Sequence, residues 1–295
     1  MEGETTAMSP AKPDWLRKRL PVGADVQAME GNLEQNRLHT ICQEACCPNQ
    51  GECFSKGVAT FLILGKVCTR NCRFCAVDSG TPEALDAGEP RRLAAEVKRL
   101  GLRFVVITSV TRDDLPDGGA AHFARVIEVM RRECPDVGIE VLIPDFQGSR
   151  AALQAVTDAA PEVLNHNVET VPRLYASVRP QADYRRSLAL LCEAKSLNPS
   201  LTTKSGLMLG LGETREEVLE VMVDLRSASC DVITVGQYLS PSPAHHPVVE
   251  YVKPEIFEKY RRDALRLGFR DAASAPFVRS SYMAEKYYRK RGDRG

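Results

Sequence analysis

Long apolar runs are missing from this chain. No stretch approaches the roughly 18 apolar residues that a membrane-spanning helix needs, so no helical span is expected. An excess of one charge is missing too. Lys and Arg number 39 against 39 Asp and Glu, so no global field favours nucleic acid. Aromatic residues are few, at 6% with one Trp, which leaves the core to aliphatic side chains. The opening residues, Met1 to Lys12, hold no apolar signal core and are polar enough to be expected disordered. The expectation is a protein of the reducing cytoplasm, where disulfides are rare. The one basic concentration, Arg289, Lys290, Arg291 and Arg294, reads as a solvated tail. The apolar fraction, 43% of 295 residues, supports one barrel or two modest domains.

Cysteine is what the chain does have. Seven of its ten cysteines fall between Cys42 and Cys75, a crowding that points to metal ligands in a reducing compartment. Cys134, Cys192 and Cys230 are scattered in apolar surroundings and read as core fillers. The tightest group is Cys68-Thr-Arg-Asn-Cys72-Arg-Phe-Cys75. A cubane iron–sulfur cluster has four irons, so three thiolates from one loop leave a corner open. An open metal position marks a catalytic site. A structural zinc site is the alternative, but it needs a fourth ligand at short range, and no Cys or His soon follows Cys75. Cys42, Cys47 and Cys53 make a second trio, spaced x4 and x5, and propose a second cluster; zinc or a disulfide are the lesser readings. Cys46 abuts Cys47 and competes with it as a ligand, though only Cys47 keeps the spacing.

From Val58 onward, strand patterns alternate with helical ones. Strands are predicted over Ala59–Val67, Phe104–Ser109, Ile139–Ile143, Val163–Val168, Lys204–Leu209 and Asp231–Val235. Helices are predicted over Leu93–Leu100, Ala120–Arg132, from the Ser149 cap to Ala159, near Pro172–Ser177, over Asp183–Lys195, from Glu213 to Ser227 and over Pro254–Leu267. Before them, Trp15–Leu20 reads as a short amphipathic segment. Such alternation implies a parallel sheet with right-handed crossovers. Six βα units are too few for a closed eightfold barrel. The expected fold is α/β: a partial (βα)6 TIM-type barrel over 58–268, a cysteine-rich extension over 1–57, and a helical tail over 269–295.

In such sheets chemistry gathers where strands end. After the second strand, Thr108 and Ser109 open a run to Gly118-Gly119, which permits close backbone approach to a ligand. Strand four ends in Asn165-His166-Asn167-Val168-Glu169, where a carboxylate can accept both hydroxyls of a ribose. Arg179 can pair a carboxylate bidentately. His166 reads as a satisfied polar residue. Lys204 serves a charged ligand or ends its strand. Gly206, Gly210, Gly212 and Glu213 form only a weak nucleotide-like pattern. His245-His246 is a poor zinc pair. Ser280 and Ser281, in Arg279-Ser280-Ser281-Tyr282, read locally as a helix cap.

These motifs resemble a known family. The Cys68 loop, with Phe74 as the aromatic before its last cysteine, is similar to the signature of radical S-adenosylmethionine enzymes. His39-Thr40, Glu44-Ala45, Cys47-Pro48-Asn49, Glu52-Cys53-Phe54 and Ala59-Thr60-Phe61 add a resemblance to the lipoyl synthase family within them. Cys46 departs from that pattern. The resemblance implies two 4Fe–4S clusters and S-adenosylmethionine. One cluster sits on Cys68, Cys72 and Cys75. The other sits on Cys42, Cys47 and Cys53, with a serine of the Arg-Ser-Ser-Tyr run, Ser281 by position, as fourth ligand. Phe74, Thr108, Ser109, Glu169 and Arg179 are implied contacts of S-adenosylmethionine, and no side chain is implied as an acid–base catalyst. The implied reaction inserts two sulfurs into an octanoyl chain on lysine, the second cluster being consumed. Implied partners are octanoylated lipoyl carrier domains (E2 subunits of 2-oxoacid dehydrogenases and the glycine cleavage H protein), an electron donor and a carrier that rebuilds the second cluster, acting on a monomer without nucleic acid or membrane.

Overall fold

A computed structural model describes residues 10–18, 23–282 and 284–287. The basic residues at 289–294, the segment 1–9, and Arg19 and Leu20 of the expected amphipathic segment lie outside the described residues. Of that segment, Asp14–Leu16 forms one 3₁₀ turn.

Backbone pairing joins eight strands in simple sequence order. They are β1 His39–Thr40, β2 Thr60–Ile63, β3 Phe104–Ser109, β4 Gly138–Leu142, β5 Val163–Asn165, β6 Thr202–Leu209, β7 Val232–Gln237 and β8 Asp271–Ser274. β2 to β8 run parallel, and β1 lies antiparallel on β2, with Thr40 opposite Phe61. The six central strands are those the sequence predicts, and the sheet stays open as a partial barrel.

The two edge strands are additions. Asp271-Ala-Ala-Ser274 has no β-branched or aromatic residue to announce a strand. Its state is decided by pairing with β7, Val232 opposite Asp271. β5 is shorter than predicted, because the chain leaves the ladder after Asn165 and turns His166–Glu169 inward.

The α-helices are α1 Ala24–Gln35, α2 Ile41–Glu44, α3 Gln50–Ser55, α4 Glu89–Arg99, α5 Ala120–Glu133, α6 Arg150–Asp158, α7 Tyr175–Val178, α8 Tyr184–Leu197, α9 Arg215–Ser227 and α10 Pro254–Arg266. Their starts follow local chemistry. Ser149 and Asp183 accept the free amides of α6 and α8, and Thr214 with Glu217 closes a capping box on α9. Their apolar stripes then pack on the sheet. Val218, Val221, Met222 and Leu225 of α9 recur at helical spacing and are all fully buried.

Candidate active site

One cavity of about 710 Å³ occupies the barrel interior and opens where the parallel strands end. Inward-facing residues alternate along its walls: Thr60 and Leu62 on β2, Gly206 and Met208 on β6, Thr234 and Gly236 on β7. The same alternation carries the wall down to Glu140 and Lys204, which pair at 2.9 Å with no exposure. Asn165 donates to the same carboxylate at 3.1 Å. Lys204 is therefore part of a floor beneath the cavity and not on its wall, which excludes the charged-ligand reading of that residue.

Cys68, Cys72, Phe74 and Cys75 line the cavity from the loop that follows β2. That loop is clamped on several sides. Thr69 bonds to the Thr111 carbonyl, Arg73 N to Val178 O, and Asn71 N to Gln181. His245 reaches the Cys75 carbonyl at 3.1 Å, and His246 N donates to Arg73 O. The His pair thus braces the loop. Backbone amides of Arg70 and Thr111 point at Cys68 Sγ, at 3.4 and 3.3 Å. Amides aimed at a ligand sulfur are a lever on cluster potential. Arg70 itself grips Asp113 with two bonds and Asp145 with one at 2.6 Å. Burial works against charge on Asp145, yet the Arg70 hydrogen bond and charge hold its carboxyl down at about 2.

The second trio approaches from the sheet's open edge. Thr40 on β1 caps α2, which carries Cys42, and α3 carries Cys53. Cys42 and Cys47 share the cavity wall with the Cys68 loop. Cys53 stands off the wall, close enough that its charge and that of Cys47 act on Cys42. Burial pushes the Cys42 thiol up to about 12 and Cys53 to about 11; it does the same to Cys75, at about 12, and Cys72, at about 11. Cys46, beside Cys47, also reaches the wall, in a left-handed conformation with φ 49°.

The segment after β8 crosses back to this edge as a strap. Asn49 donates to Phe277 O at 2.8 Å, and Tyr282 OH meets Glu52 at 3.5 Å. Lys18 bonds Asn49 and Glu52 and stands 4.7 Å over the Phe277 ring. Ser280 and Ser281 both line the cavity. They differ in engagement. Asn167 Nδ2 donates to Ser280 Oγ at 2.7 Å, whereas no hydrogen bond engages Ser281 Oγ among the described residues.

Thr108, Ser109, Glu169 and Arg179 also stand on the wall. Glu169 adopts a left-handed φ of 64°, uncommon for a non-glycine residue and typical of functional positions. Burial raises its pKa against the pull of Arg179, Asn167 and Arg279. His166 is satisfied at both ring nitrogens, by Ile143 O at 2.8 Å and Ser187 Oγ at 3.0 Å. Burial, aided by the Arg179 charge, lowers its pKa to about 4. Ser109 Oγ, Asn167 Oδ1 and Arg179 Nε are buried on this wall without a protein partner. Buried polar groups are nearly always paired, so this wall fits a polar ligand such as S-adenosylmethionine. The thiols opposite it fit a soft metal cluster.

Two sequence expectations, for Gly118-Gly119 and for Cys192, are corrected, and the weak glycine pattern is accounted for by a turn. Gly118 and Gly119 do not approach the cavity. Both have left-handed φ, and a Cβ on Gly119 would lie 2.5 Å from Leu64 Cδ1, so they turn the chain tightly into α5. Gly210 and Gly212 shape a turn whose amides at Gly210 and Leu211 are bonded by Glu213. Cys192 is exposed, not core, while Cys134 and Cys230 are buried. Arg70, Asp145 and Asn167 have no role in the sequence reading, because contacts between segments far apart along the chain join Arg70 to Asp113 and Asp145, and Asn167 to the strap.

Residues 62–225 match the Radical SAM superfamily. Curated relatives named lipoyl synthase cover nearly the whole chain. That of Caldanaerobacter subterraneus subsp. tengcongensis is 57% identical over 94% of this chain and 97% of its own. That of Caldicellulosiruptor saccharolyticus is 57% identical over 95% and 98%. That of Geobacter sp. is 56% identical over 94% and 94%. Among solved structures, methylornithine synthase is 15% identical, with a TM-score of 0.53 over 86% of this chain and 74% of that one. Streptococcus suis SuiB bound to S-adenosylmethionine is 11% identical, with a TM-score of 0.57 over 77% and 54%. These two likenesses are of fold.

Proposed function

The chain belongs to the lipoyl synthase family of radical S-adenosylmethionine enzymes, and from that membership we propose how its two cysteine trios divide the work. The family carries a 4Fe–4S cluster, uses S-adenosylmethionine and inserts sulfur into an octanoylated carrier protein.

Cys68, Cys72 and Cys75 hold the radical-generating cluster. When bound, it supplies the electron that cleaves S-adenosylmethionine to methionine and a 5′-deoxyadenosyl radical, which no side chain can generate. Glu169 accepts the ribose hydroxyls, Arg179 pairs the carboxylate, and Phe74, Thr108 and Ser109 complete the binding wall. Leu62, Leu142, Met208 and Phe277 give the octanoyl chain an apolar bed that excludes water from the reacting carbon. Cys42, Cys47 and Cys53, with Ser281, hold the second cluster as the source of both sulfurs. A serine oxygen is a poorer partner for iron than a thiolate, which suits a site that must give up its contents. The functional units are then 1–57, 58–268 and 269–295. The carriers are E2 subunits of 2-oxoacid dehydrogenases and the glycine cleavage H protein, served by an electron donor and by a carrier that rebuilds the second cluster.

One observation supports this reading most: Cys42, Cys47 and Ser281 share a cavity with Cys68, Cys72 and Cys75. Loading the N-terminal trio with isotopically heavy sulfide tests it. Turnover of an octanoyl-lysine peptide should yield product carrying heavy sulfur. Product with only light sulfur, or none, would mean that the second trio serves electron transfer instead.

A further inference from the structure

Adjacent serines on the strap do different things. Ser280 Oγ accepts a 2.7 Å hydrogen bond from Asn167 Nδ2, across 113 residues of sequence. The same amide donates to Glu169 Oε1 at 3.0 Å. Ser281 Oγ faces the cavity with no bond among the described residues. The barrel is shaped to receive the strap. A Cβ on Gly206 would lie 2.9 Å from Ser280 Oγ and 2.7 Å from Asn167 Oδ1. A Cβ on Gly236, on the neighbouring strand, would lie 2.1 Å from Val278 O. Two glycines on adjacent strands thus leave a seat for Val278 to Ser280. The strap then turns on itself, Tyr282 N bonding Arg279 O at 2.9 Å, and Ser281 sits on that turn.

We infer that Asn167 and Ser280 form a latch, seated on Gly206 and Gly236, that holds the strap at a fixed register and so keeps Ser281 against the N-terminal cysteine trio. Ser280 is a positioning residue and not a ligand. The inference rests on the assignment of Ser281 as the fourth ligand of that trio. The amide that holds Glu169 on the S-adenosylmethionine wall also holds the strap, so one side chain fixes both halves of the site relative to each other.

Ser280→Ala removes the acceptor and leaves Ser281 in place. With both clusters reconstituted, reductive cleavage of S-adenosylmethionine without octanoyl substrate should stay near the wild-type rate, as should the melting temperature. Sulfur insertion should fall. Iron retention is read on the full chain carrying Cys68→Ala, Cys72→Ala and Cys75→Ala, where only the N-terminal trio can hold a cluster. There Ser280→Ala should speed iron loss to a chelator by about threefold to tenfold, the scale of one neutral hydrogen bond. Gly206→Ala, which crowds the latch from the barrel side, should speed it likewise. Wild-type retention in both variants, with Ser281→Ala labile, overturns the latch and leaves the Ser281 assignment standing. Wild-type retention in Ser281→Ala overturns that assignment whatever Ser280→Ala does. Loss of cleavage in Ser280→Ala, or a lowered melting temperature, would show a general defect and also overturn the latch.

Discussion

Single residues in this site are set by what surrounds them more than by what they are. Cys72 is one of three wall thiols on a loop clamped from several elements. Cys72→Ala should abolish cleavage of S-adenosylmethionine and lower bound iron toward that of one cluster; unchanged methionine release would refute its role. His166 makes the opposite case, being buried and kept neutral with its pKa lowered to about 4. Above the ordinary value near 6.5 the ring is neutral folded or unfolded, so it adds no pH dependence. As pH falls from there to about 4, the unfolded chain takes up a proton that the folded chain refuses, and stability drops. The loss is of order 3 kcal/mol across that window. His166→Gln should therefore flatten the stability–pH curve between about 6.5 and 4, measured by denaturant unfolding at fixed pH steps; an unchanged slope would count against it. The sequence allowed His166 to be read as satisfied, but not its partners, Ile143 and Ser187, which come from the residue just after β4 and from α8.

Among the elements, β6 carries both floor and wall. Lys204 and Gly206, two residues apart, face the same side, one in a buried ion pair and one beneath the strap. Taking Lys204 to Met strands the Glu140 charge and should cost about 3–5 kcal/mol. Adding Glu140→Leu should recover most of that loss, since a buried pair can often be replaced by apolar side chains at little cost. Urea unfolding of the single and double variants checks this, and a double variant no more stable than the single would refute it. The strands most legible in sequence were the central ones, rich in Val, Ile and Leu. β8 was not legible: its Asp-Ala-Ala-Ser has no strand preference, and its ladder exists only because β7 offers one.

At the scale of the molecule, the N-terminal cysteine segment and the strap after β8 meet at the mouth of the barrel. Asn49, 2% exposed, ties the N-terminal cysteine segment to Phe277 of the strap, and Lys18 braces both. Asn49→Ala should destabilise the protein by about 0.5–1.5 kcal/mol by removing the donor to the half-buried Phe277 carbonyl, and should lower iron at the N-terminal trio before that at the Cys68 loop. Equal loss from both would refute the idea that this tie serves one site. The sequence by itself determined the two cysteine spacings, the βα alternation and the strand-end placement of Thr108, Ser109 and Glu169, because each depends on residues close together along the chain. Only the tertiary structure decided that Cys42 and Cys47 share one cavity with the Cys68 loop, that Ser280 Oγ is bound while Ser281 Oγ has no hydrogen bond among the described residues, that Lys204 belongs to the floor, and that Arg70 joins two aspartates. Those depend on which backbones cross and how closely, a distance that glycine at Gly206 and Gly236 permits and that no local pattern encodes.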